Sequence, residues 1–66
     1  MKLWVNGEER SLEAVADVAG LVAALGLDGR KVAVERNLEI VPRSTYTAVG
    51  IFDGDRLEIV QFVGGG

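Results

Sequence analysis

Apolar and polar residues alternate near both ends of this chain and follow a helical spacing between them. Lys2-Leu3-Trp4-Val5 puts Leu3 and Val5 on one face and Trp4 on the other, the period of a β-strand. Asn6-Gly7 follows, the strongest short-range hairpin signal, because both turn positions need φ above zero. Glu8 to Leu12 is then the returning strand. Asp17 precedes Val18, Leu21, Val22 and Leu25, whose three- and four-residue steps build one apolar helical face. The Asp17 carboxylate suits an N-cap, where it can accept from the free amides of the first turn. Gly26 suits the left-handed position after the helix, with Leu27 folding back on Val22. Gly20 inside this helix costs about 1 kcal/mol relative to alanine.

The second half of the chain reads as strands. Residues 31–35 form the third, β-branched and alternating. Arg36-Asn37-Leu38 reverses into a short fourth strand, Glu39-Ile40-Val41, ended by Pro42, which donates no ladder hydrogen bond. Residues 42–50 form an irregular connection, with Tyr46 and Val49 as its apolar anchors. Asp53-Gly54-Asp55 is a turn, and residues 56–63 are the last strand, with Leu57 and Ile59 on one face and Val60 and Phe62 on the other. One helix among five strands predicts a two-layer α+β domain. The first and last strands are too far apart in sequence to form a hairpin. Placed side by side and parallel at the centre of a mixed sheet of four to five strands, they leave the helix to cross one face. That is the ubiquitin-like β-grasp arrangement, expected over residues 1–63, with residues 64–66 as a flexible glycine tail.

Composition narrows the function. At 66 residues the chain is one domain, of a size that buries only about 60% of its unfolded surface. A hydrophobic content of 48% argues against intrinsic disorder. Cysteine and histidine are both absent, which removes the thiolate nucleophile, the zinc-thiolate site and the usual general base. No catalytic or metal-binding residues are expected, and an enzyme is not. A net charge of −3 without a basic cluster disfavours nucleic acid and fits a partner protein with a basic surface. No signal peptide precedes the first strand, and no apolar run approaches the roughly 20 residues of a membrane span. The expected location is the cytoplasm, with no membrane partner.

The candidate chemistry lies at the end, Val63-Gly64-Gly65-Gly66. Glycine has no Cβ, so such a tail can thread a narrow slot in a partner. A terminal carboxylate on Gly66 is ionised at neutral pH, because a free one titrates near 3.3–3.7, about three units lower. The bland reading is a frayed terminus. Outward-facing Val60, Phe62 and Val63, with Trp4 on the neighbouring strand, form a candidate docking patch. Its alternative is coverage by the connection at 42–50. Glu35, Arg36, Glu39 and Arg43 are read as solvated cross-strand pairs, worth at most about 1 kcal/mol each. Asp53 and Asp55 are read as turn residues, and Asn6, Gly7 and Gly26 as structural.

Several of these segments together resemble the ThiS sulfur-carrier family of thiamin biosynthesis over essentially the whole chain. They are Val5-Asn6-Gly7-Glu8, Leu21-Val22-Ala23-Ala24-Leu25-Gly26-Leu27 and Val32-Ala33-Val34-Glu35-Arg36-Asn37, followed by Glu39-Ile40-Val41-Pro42-Arg43, Asp53-Gly54-Asp55-Arg56-Leu57-Glu58-Ile59-Val60 and the terminal Val63-Gly64-Gly65-Gly66. One departure is Leu38, where the family often has glycine. The resemblance implies that a ThiF-like adenylating enzyme uses Mg-ATP to activate the Gly66 carboxylate. A sulfur donor, ultimately a cysteine desulfurase, would convert it to a thiocarboxylate, and a ThiG-like thiazole synthase would take the sulfur. Gly64 and Gly65 would lie in the partner's channel, and the chain itself would bind no cofactor. The rivals are a carrier serving molybdopterin or tRNA thiolation, a ubiquitin-like protein modifier, and an interaction module whose glycines do nothing.

Overall fold

The computed structural model describes residues 1–62. Five strands and one helix are found: β1 (Lys2–Val5), β2 (Glu8–Ser11), α1 (Val18–Ala24), β3 (Val32–Arg36), β4 (Glu39–Val41) and β5 (Arg56–Gln61). They form one sheet in the order β2-β1-β5-β3-β4. β1 and β5 are parallel and adjacent, and β5 runs antiparallel to β3 on its other side. This is the expected β-grasp arrangement. Two 3-10 turns, Gly29–Lys31 and Arg43–Thr45, were not foreseen. The first takes up Lys31 and so delays β3 by one residue.

Helix α1 is short, and both its ends are closed. The Asp17 carboxylate accepts from the Gly20 amide at 2.7 Å. The Val18 and Ala19 amides donate to the carbonyls of Val49 and Tyr46, and that of Leu21 to the Asp17 carbonyl. The free donors of the first turn are thereby satisfied, and the same bonds dock the 42–50 connection against the helix. At the other end Gly26 has φ +76°, and Gly26 and Leu27 donate to Ala23 and Val22, a Schellman ending. Gly20 also acquires a reason. A Cβ there would lie 3.2 Å from the capping oxygen of Asp17.

The core lies between the helix and one face of the sheet. Leu3, Val5, Val32, Val34, Leu57 and Ile59 meet Val18, Leu21 and Val22, and Val15, Tyr46 and Ile51 close the end. Tyr46 is buried and its hydroxyl donates to the Val32 carbonyl, so it is an anchor as expected, with Val49 packed less deeply beside it. Among the described residues the opposite face of the sheet carries no helix.

Candidate functional site

The site is built on β5, the central strand. Alternation along it sends Leu57 and Ile59 into the core, where each is under a tenth exposed. Val60 is 61% exposed and Phe62 52%. The 42–50 connection leaves Val60 open, its Tyr46 and Val49 carbonyls being bonded to α1 at the other face, and reaches Phe62 only through Arg43.

The strand is held on its β3 side up to the last described residue and on its other side as far as Ile59. On the β3 side the ladder runs from Arg36–Leu57 to Val32–Gln61, and the Phe62 amide donates to the Lys31 carbonyl at 2.8 Å. On the other side β1 stops at Val5. There the Asn6 side chain replaces a strand: its Nδ2 donates to the Ile59 carbonyl at 3.1 Å, and its Oδ1 accepts from the Ile59 amide at 2.7 Å. Asn6 can do this because the hairpin holds it at φ +51°. The Phe62 ring lies 5.9 Å below the Arg43 guanidinium, which is fixed by donation to the carbonyls of Gly29 and Val32.

Trp4 is placed apart from Val60 and Phe62. It is half-buried on the same open face, opposite Arg56, whose guanidinium sits 5.5 Å over the indole. Val60 is four positions beyond Arg56, about 13 Å along an extended strand, and Glu58 stands between. The positions Val63, Gly64, Gly65 and Gly66 lie outside the described residues.

Two expectations are corrected. Asp55 is a buried hub rather than a simple turn residue. Its carboxylate accepts from Arg36 Nε at 2.8 Å, Asn37 Nδ2 at 3.1 Å and the Phe52 amide at 2.9 Å. Burial pushes its pKa up, and the hydrogen bonds from Phe52, Arg36 and Asn37, with the Arg36 charge, outweigh that and hold it below the ordinary value. Its alternation with Leu57 and Ile59 was the available signal. The second correction concerns the charged cluster. Arg36 shares the core-side parity of Val32 and Val34, so it turns to Asp55, and Arg43 goes to backbone carbonyls. Glu35 instead faces Glu58 across the sheet.

The comparisons with known proteins are consistent with one another. The sequence pattern of the ThiS family matches residues 3–66. This chain belongs to the ThiS family. The sulfur carrier protein ThiS of Bacillus subtilis is 38% identical over 65 residues, covering 97% of this chain and 98% of that one. The thiazole synthase of Paramagnetospirillum magneticum is 62% identical over 66 residues, which is all of this chain and 20% of that protein. The chain therefore spans about a fifth of the length of the thiazole synthases it matches. The crystal structure of the ThiS thiamine biosynthesis protein from Geobacter metallireducens superposes with a TM-score of 0.84 at 35% identity, covering 100% of both chains. The Asn6 and Phe62 contacts brace the strand that precedes Val63-Gly64-Gly65-Gly66 in the sequence.

Proposed function

We propose that this domain is a sulfur carrier of thiamin (thiazole) biosynthesis whose working group is the Gly66 carboxylate. The observation that carries this reading is the bracing of β5. The central strand is fixed from β3 and from the Asn6 side chain, and the Lys31 carbonyl still holds Phe62. The four residues that follow thus start from a rigid element and can be presented to an enzyme at a defined place. Family membership and the end-to-end match to a sulfur carrier protein support the same conclusion.

The chemistry asks little of the chain itself. A carboxylate resists nucleophiles until one oxygen belongs to a good leaving group. A ThiF-like partner would join the Gly66 carboxylate to the α-phosphorus of Mg-ATP, releasing pyrophosphate and leaving an acyl-adenylate. Sulfur drawn ultimately from a cysteine desulfurase as a persulfide, and reduced to the sulfide level by a thiol that is itself oxidised to a disulfide, would then displace AMP to leave the thiocarboxylate. A thiazole synthase is the acceptor, and the two thiazole synthases that contain a matching segment support that pairing. Gly64 and Gly65 would occupy the partner's channel without side chains to clash. With these partners the carrier would work in the cytoplasm.

The reading requires a free carboxylate on Gly66. Intact mass of the protein purified from its own cells should end at Gly66. Incubation with the ThiF-like enzyme, Mg-ATP and a sulfur source should replace one oxygen by sulfur. Removing Gly66 should abolish adenylation and leave the thermal unfolding curve almost unchanged; retained adenylation would overturn the site. Attachment to a lysine would assign the domain to protein modification instead.

A further inference from the structure

The open sheet face contains a juxtaposition that stability does not explain. Glu35 on β3 and Glu58 on β5 are direct register partners. Lys31–Phe62, four positions to one side, and Asn37–Arg56, two positions to the other, are bonded through their backbones. By the same alternation Glu35 and Glu58 form a closely bonded pair with Cβ atoms about 5 Å apart. Like charges directly opposite one another are destabilising, yet among the described residues neither carboxylate has an ion-pair partner. Ile40, 79% exposed, continues the row on β4. The next row is apolar: Val60 opposite exposed Ala33, with Phe62 beyond.

We propose that this row, Glu58–Glu35–Ile40 with Val60 and Ala33, docks on the enzyme that activates the tail. That enzyme would place an arginine or lysine over the two carboxylates and aliphatic side chains around it. The proposal rests on the carrier reading above. Two features of the chain single out this occupant. In that reading the working Gly66 lies four residues beyond Phe62, a span of at most about 14 Å when extended. Val60 lies about 7 Å and Glu58 about 13 Å back along the strand, so an enzyme holding Gly66 in its active site must meet this face. The second feature is charge. An enzyme that binds ATP together with a peptide carboxylate carries positive potential around its active site, and the Glu35–Glu58 pair, bordered by Ile40, Val60 and Ala33 and on one side by Arg56, which is stacked on Trp4, complements it. Such complementarity speeds encounter and fixes register more than it adds affinity.

The test uses the whole chain and the purified ThiF-like enzyme, read by ATP–pyrophosphate exchange across a salt series. The E35Q/E58Q variant should raise the KM for the carrier about tenfold with kcat unchanged, and flatten its salt dependence. Its melting temperature should equal or exceed the parent's, because a repulsion has been removed. The E8Q/E13Q variant, with the same change in net charge at exposed positions elsewhere, should behave as the parent. An active parent with equal KM values for E35Q/E58Q and E8Q/E13Q overturns the docking proposal alone. A parent silent in exchange overturns the carrier reading, and this partner with it.

Discussion

The β3–β4 hairpin contains a substitution experiment whose control is already built into the molecule. Asn6-Gly7 and Asn37-Leu38 are the central pairs of two hairpins with nearly the same backbone. Their φ angles are +51° and +80° in the first, and +51° and +71° in the second. Glycine reaches that region freely, whereas an ordinary L-residue is there at a cost of roughly 1–2 kcal/mol. Leu38 recovers almost nothing by burial, being 90% exposed. Leu38→Gly therefore removes the strain and returns part of the gain, about 0.5–1 kcal/mol, as extra entropy of the unfolded chain. The net expectation is a stabilisation of about 0.5–1 kcal/mol. For a domain of this size that is a rise in melting temperature of roughly 2–8 °C. Urea and thermal unfolding followed by circular dichroism and by the fluorescence of Trp4, the one tryptophan, would measure it. Gly7→Leu should move stability the other way by a similar amount, since nothing lies within 4 Å of a Cβ at Gly7 to compensate or to clash. If Leu38→Gly is neutral or destabilising while Gly7→Leu is costly, strain at Leu38 is not what limits this hairpin.

Two further outcomes follow from the braced strand and its buried acid. Asn6→Ala loses both side-chain bonds to Ile59 and puts a Cβ at positive φ, for a combined cost of about 2–3 kcal/mol. Asn6→Gly keeps the backbone and should lose about 1–2 kcal/mol, with faster amide hydrogen exchange at Ile59; equal stability of Asn6→Gly and the parent would remove the brace. The second outcome is acid sensitivity from Asp55, whose pKa is lowered in the folded state. A lowered folded value means stability that is complete above the unfolded pKa near 3.9, and is lost as pH falls through the folded value. The urea midpoint should therefore drop as pH falls below about 4, and Asp55→Asn should flatten that drop while lowering the plateau. Asp28, lowered to about 2 chiefly by the Arg30 side-chain hydrogen bonds and then by the Arg30 amide, sits at the surface where solvent screens it. Asp28→Asn should leave most of the slope in place.

What could be read in advance, and what could not, divides along a physical line. The parallel β1–β5 pair, which joins residues 4–5 to 56–57, was reached by topology, whereas the strands and the capped helix rest on periods of two and 3.6 and on Asn-Gly, Asp and Gly signals that act within a few residues. Each of these was legible because the residues that decide it are neighbours in sequence. Asp55 was misread because its partners Arg36 and Asn37 are 19 and 18 residues away; a carboxylate beside a glycine looks like a turn until the far hairpin is docked on it. Arg43 failed in the same way, since its acceptors are backbone carbonyls at Gly29 and Val32, which carry no side-chain signature. The exposed side of β5 occupies a middle position. Alternation alone put Val60 and Phe62 opposite Leu57 and Ile59, but only the sheet order showed that Glu58 meets Glu35 and that Trp4 stands apart. Those two facts change the character of the face. A patch of Val60, Phe62 and Trp4 would be a greasy surface open to many partners, whereas the observed row interrupts the apolar side chains with two facing carboxylates. Burying that row against a neutral apolar surface would strand two charges, a cost of several kcal/mol per ion. The face is thus built to reject greasy surfaces in general and to accept one that brings its own cations.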